Sequence, residues 1–146
     1  MPAVLHLATL IDQAFVSDPQ PCTALVLHLQ RLDDLSRTLG VTPPSQFVDV
    51  TELEYREAVQ LIEADPAAGA DPDPLTGLPY GIEDMSWTPV AIGMVTIEAL
   101  AGYLSRNVPG GISERALGEL RAELAHLDQA LRPLEAEGAQ FHLAAR

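Results

Sequence analysis

The chain has 146 residues, 47% hydrophobic and 20% charged, with 21 acidic side chains against eight basic ones and a net charge of −13. That length makes one domain, residues 1–146, with a core large enough to stand without staples, and the balance is globular rather than disordered. A surface this negative repels phosphate backbones and anionic membranes, which argues against nucleic-acid and membrane partners and favours a basic protein.

All eight basic residues are arginine, the bias of a GC-rich bacterial genome. Cys22 is the only cysteine, so neither an internal disulfide nor a multi-cysteine zinc site can form. With no leader pattern and no apolar run of ~18–20 residues, the expected compartment is the cytoplasm.

In chain order, Val4, Leu7, Ile11 and Phe15 share one helical face and predict a helix over residues 2–16. Ser17 to Pro21 breaks it. Leu25, Leu29, Leu32, Leu35 and Leu39 then predict a second helix that stops at Gly40, where a left-handed residue ends helices well. Residues 46–50 fit either a short strand or a lead-in. Thr51 and Glu54 have the form of a capping box opening a helix to about Ala64, with Tyr55, Val59 and Ile62 as its apolar stripe.

The proline- and glycine-rich run from Asp65 to Ser86 cannot be a continuous helix, and loops of such length are either functional or unordered. Thr88-Pro89 predicts the next helix start, with Ile92, Val95, Ala99 and Tyr103 along one side and Gly93 and Gly102 allowing close backbone approach. Ser113 opens the last helix, where Leu117, Leu124 and Leu131 interleave with Leu120, Leu127 and Leu134. Pro133 should kink or end it near Arg132.

The expected fold is therefore mainly α, a compact bundle of about five helices. A strand pair from residues 46–50 and 140–143 is the variant that would make it α+β. The predicted core is Leu25, Leu29, Leu32, Val59, Ile62, Val95, Leu117, Leu120, Leu124 and Leu127. Trp87 is expected to be largely buried at the start of its helix, its ring beneath the irregular segment and its indole N–H bonded to a backbone acceptor.

Site chemistry is thin. His6, His28, His126 and His142 lack the i,i+4 spacing of a helical metal pair, and half-buried rings bonded to backbone are expected. Asp71-Pro72-Asp73 opens like a calcium loop, but Thr76 and Ile82 stand where glycine and glutamate are needed, so turn-capping aspartates suffice. Cys22 lies near a helix start that would favour a thiolate but has no recognisable catalytic partners. No catalytic residue, metal site or cofactor is predicted, and an enzyme is the less favoured class. Glu54 and Glu57, one turn apart, keep open a small all-α magnesium-dependent nucleotide hydrolase. The leucine-rich last helix could pair with a copy of itself, but Glu123 and Asp128 would then meet as like charges, and packing inside the monomer is simpler.

Trp87-Thr88-Pro89 before a helix with Gly93, the run Ala99 to Leu104, the leucine-rich last helix and a closing Phe141-His142-Leu143 together resemble a loose group of small, uncharacterised acidic bacterial proteins. The resemblance covers roughly residues 85–143. It implies a fold more than a role and, for some of the group, a part as suspected immunity partners of bacterial toxins.

Charge distribution gives the favoured function. Residues 49–84 carry ten acids against Arg56 alone, so −9 of the net −13 sits in a quarter of the chain. An acidic protein-binding module is expected, an immunity or regulatory protein that neutralises a basic bacterial protein. Glu57, Asp71, Asp73, Glu83 and Asp84 are its candidate contacts. A purely structural role is the remaining alternative, and the oligomeric state is open.

Overall fold

The computed structural model describes residues 4–62 and 72–146, the side chains of residues 60–62 excepted. Its elements in order are strands β1 (Leu5–Ile11) and β2 (Ala14–Cys22), helices α1 (Thr23–Leu27) and α2 (Leu29–Leu39), strand β3 (Val48–Asp49) and helix α3 (Thr51–Ile62). After the irregular segment come β4 (Thr88–Pro89), α4 (Val90–Arg106), α5 (Glu114–Glu135) and β5 (Gln140–Ala145). Strands form one five-stranded sheet in the order β2-β1-β5-β3, with β4 also paired to β5. The fold is α+β, which corrects the expected all-α helical bundle.

The correction starts at the N-terminus, where a helix was expected and a β-hairpin stands. Leu5, Leu7 and Ile11 alternate along β1 and pack into the core, so a period of two was hidden inside the apparent helical spacing. Asp12 and Gln13 both take left-handed backbone angles, φ 46° and 71°, making the two-residue turn whose twist suits a hairpin. Pro19 and Pro21 fit in β2 because it is an edge strand, where a missing N–H breaks no ladder.

β5 is the centre of the sheet. It pairs antiparallel with β1 from Leu5↔Ala145 to Leu10↔Gln140. Its other edge is shared: β4 sits beside Gln140 and Phe141, and β3 runs parallel beside Leu143 and Ala144. The two segments named for an α+β variant, residues 46–50 and 140–143, do lie side by side, within a larger sheet.

Alternation gives the sheet two faces. Leu5, Leu7, Phe141 and Leu143 point into the main core with Leu25 of α1, Leu32 of α2, Ile97 and Leu100 of α4, and Leu117, Leu120, Leu124, Leu127 and Leu131 of α5. The α5 leucines thus pack inside the monomer. Gly93 of α4 lies flat against the Phe141 ring, with no room for a side chain between them. His142, Ala144, Ala8 and Phe15 occupy the opposite face with Asp49, beneath Leu78, Tyr80 and Met85 of the irregular segment.

Local signals fared unevenly. Gly40 ends α2 at φ 76°, and the Ser113 hydroxyl caps α5 by accepting from Ala116 N–H. The single helix expected over residues 25–39 breaks at His28, and Pro133 sits within α5, which continues to Glu135. At Thr51 the capping box gives way to Asp49, whose carboxylate takes both the backbone N–H and the hydroxyl of Thr51. Residues 88–89 pair as strand, and α4 begins only at Val90. Val95, expected in the core, is 56% exposed, and Ile92 of the same expected stripe 43%; α4 buries Met94, Ile97, Leu100 and Leu104 instead. Leu29 and Val59 are half-buried, and Ile62 lies outside the described side chains. Among the described residues no helix is long and apolar enough to cross a membrane.

Candidate functional site

The segment 72–87 is tightly turned on its own polar groups. The Asp73 carboxylate accepts from Leu75 N–H at 2.8 Å and Thr76 N–H at 3.2 Å, and the Thr76 hydroxyl donates to the Tyr80 carbonyl. Asp84 then closes a short 3-10 turn, its carboxylate accepting from Gly81 N–H at 2.8 Å. Gly81 is where the carboxylates meet: a Cβ there would lie 2.6 Å from the Glu83 carboxylate and 2.8 Å from that of Asp73. Asp73, Glu83 and Asp84 therefore form one group around a single glycine. Asp73 caps its own turn, as the calcium-loop argument expected.

Next to this group, Tyr80 and Tyr55 of α3 pack with ring centroids 5.9 Å apart. Burial and the neighbouring Glu52 carboxylate push the Tyr80 phenol above its ordinary value. Tyr55 is 40% exposed and Leu75 48%, so aromatic and aliphatic surface adjoins the acids. Both nearby arginines turn to Glu52, Arg56 at 3.3 Å and Arg146 at 3.1 Å. Among the described residues, no ion pair reaches Asp73, Glu83 or Asp84.

Of the five expected contacts, the structure gathers these three. Glu57 is exposed on α3, but residues 55 and 57 differ by about 200° around a helix axis, so Glu57 faces away from the tyrosines. Asp71 lies outside the described residues. Glu54 shares the exposed side of α3 with Glu57, and no group of three His, Cys, Asp or Glu that could hold a metal ion occurs among the described residues.

Two further polar assemblies escaped the sequence. Glu123 of α5, 9% exposed, reaches the start of α1 and accepts from Ala24 N–H at 2.9 Å and Leu25 N–H at 2.8 Å. Beside it, Asp18 from the irregular stretch of β2 meets His126 Nε2 at 2.8 Å. These partners stand 99 and 108 residues apart in sequence, so no local pattern could reveal them. They reverse the expectation for Cys22, which is 1% exposed. Burial, then Glu123, then Asp18, push its thiol up to about 12. We expect iodoacetamide at about pH 8 to leave Cys22 unmodified in the folded protein and to alkylate it after denaturation, read by mass spectrometry.

The other assembly lies on the second face of the sheet. Asp49, 5% exposed, accepts from Ser86 N–H at 3.0 Å and stands 3.9 Å from Nε2 of His142, itself 2% exposed. Trp87 covers that ring at 4.3 Å between centroids and packs edge-on against Phe15. It is only half-buried, less than expected, while its indole N–H does find a backbone acceptor, donating to the Ile82 carbonyl at 3.0 Å. Of the other histidines, His6 bonds the Asp18 carbonyl, as expected of a backbone-bonded ring. The alternation of Gln140, His142 and Ala144 against Phe141, Leu143 and Ala145 was the one available sign that His142 leaves the main core.

No known protein family, curated protein or solved structure matches the chain.

Proposed function

We propose that the chain is a protein-binding module that engages a basic polypeptide through the lobe formed by segment 72–87 and the first turns of α3, and so neutralises or regulates its partner. The observation that carries this reading is the convergence of Asp73, Glu83 and Asp84 around Gly81, beside the Tyr55–Tyr80 pair. The two arginines at hand are committed to Glu52. Carboxylates held next to exposed aromatic faces suit the guanidinium of arginine, which can pair with the acids and stack on the rings. The regional charge of −9 would draw such a partner in from solution and fade with salt.

An arginine-rich peptide tests the idea by stopped-flow at low and high salt. The triple change Asp73→Asn, Glu83→Gln, Asp84→Asn is expected to slow association about tenfold or more and to flatten its salt dependence. Glu57→Gln, on the other side of α3, is expected to change little. An unaltered rate and salt slope in the triple variant would refute the assignment.

A further inference from the structure

We propose that segment 72–87 is a pH-gated latch, held shut over the second face of the sheet while His142 is neutral and released when that ring takes up a proton.

The latch rests on few polar attachments. Ser86 N–H bonds Asp49, the Asp84 carbonyl can only share the one Thr51 hydroxyl proton that Asp49 holds at shorter range, and Trp87 lies on the His142 ring. Its other hydrogen bonds among the described residues are internal to it, as with Asp73 and Thr76, and the rest of its hold on the body is packing, of Tyr80 on Tyr55 and of Trp87 on Phe15. Beneath it, His142 is 2% exposed and its Nδ1 has no hydrogen-bond partner. A neutral ring tolerates this, because the bare nitrogen can be an acceptor that is merely unused. A protonated ring cannot, since it would bury a new N–H donor and a charge together.

The groups facing the ring divide in their effect. Asp49 of β3 favours the charged form, and so does a hydrogen bond to the Ser86 backbone. Arg146 after β5 opposes it, and Glu52 of α3 is occupied by Arg146 and Arg56. Tyr80 lines the same small cavity from the latch, while β1 and β2 bring only Ala8 and Phe15. Burial outweighs the Asp49 carboxylate and holds the imidazole below its ordinary 6.5. The closed state is therefore fully favoured above pH 6.5 and loses ground as pH falls from there towards the lower value of the buried ring, because only the opened state takes the proton readily. Lifting residues 72–87 brings water to Nδ1 and leaves the helical face of the sheet, with its separate core, in place.

Trp87 is the only tryptophan, so its emission reports the latch directly, with no partner present. In the whole protein, lowering the pH from about 8 to about 5 is expected to red-shift that emission and raise its quenching by acrylamide. The change should be reversible, have its midpoint below 6.5, leave far-UV circular dichroism unchanged, and vanish in His142→Gln. An emission that never moves, a shift accompanied by loss of helical signal, or a shift that persists in His142→Gln overturns the proposal. Histidine-resolved NMR of the wild type decides the matter even if the variant does not fold: the His142 ring must titrate with the midpoint of the Trp87 change, and a separate midpoint overturns it.

Discussion

Leu124→Ala is expected to lower the unfolding free energy by about 2–5 kcal/mol, read from the shift in urea midpoint at constant slope. Leu124 is 1% exposed in the middle of α5 and lines the core with Leu25 of α1, Ile97 and Leu100 of α4, and Phe141 and Leu143 of β5. Three helices and the central strand meet at this point, so none can move in to fill the gap without disturbing the others. The loss should thus be that of a cavity that stays open, not one that collapses. An unchanged midpoint would mean that this face of α5 does not pack as described.

Gly93→Ala is expected to cost about 1–3 kcal/mol, even though alanine is ordinarily the better helix residue by roughly 1 kcal/mol. The cause is Phe141, 1% exposed, whose ring occupies the space an added Cβ would need. The ring also packs against Phe47 at 5.1 Å between centroids, so it has nowhere to retreat. Phe141→Leu is itself destabilising but removes the obstruction. In a double-mutant cycle the two changes together should therefore cost less than their sum. Strict additivity would show that the contact does not set the spacing of α4 from the sheet.

What the sequence disclosed depended on whether the signal was local. Ser113, Gly40 and the leucine series of α5 were legible because each acts within a few residues of itself. The hairpin was not. Its turn uses Asp12 and Gln13 in left-handed conformations without a glycine to announce it, and β1 acquires its central partner from residues 140–145, at the far end of the chain. The inward face of α4 was misread because Ile92 and Val95 are as apolar as Met94 and Ile97, so periodicity could not choose between sides. The acidic character of residues 49–84 was plain from composition. The turn at Gly81 that brings Asp73 and Glu83 together, while α3 carries Glu57 away, was not.

The place of β5 bears on how the molecule comes into being. Residues 140–145 leave the ribosome long after β1, yet β3 and β4 have no other strand to pair with and β1 takes its second partner from them. Until β5 emerges the nascent chain can close only its first hairpin and its helices, and β1 presents an open edge of unpaired backbone groups. The finished sheet is sealed at one stroke, when Val4 and Arg146 exchange backbone hydrogen bonds of 3.0 Å and 2.9 Å. An intermediate that stalls before this step carries an unsatisfied strand in its middle, and the wait for β5 is the interval in which a chaperone would find it.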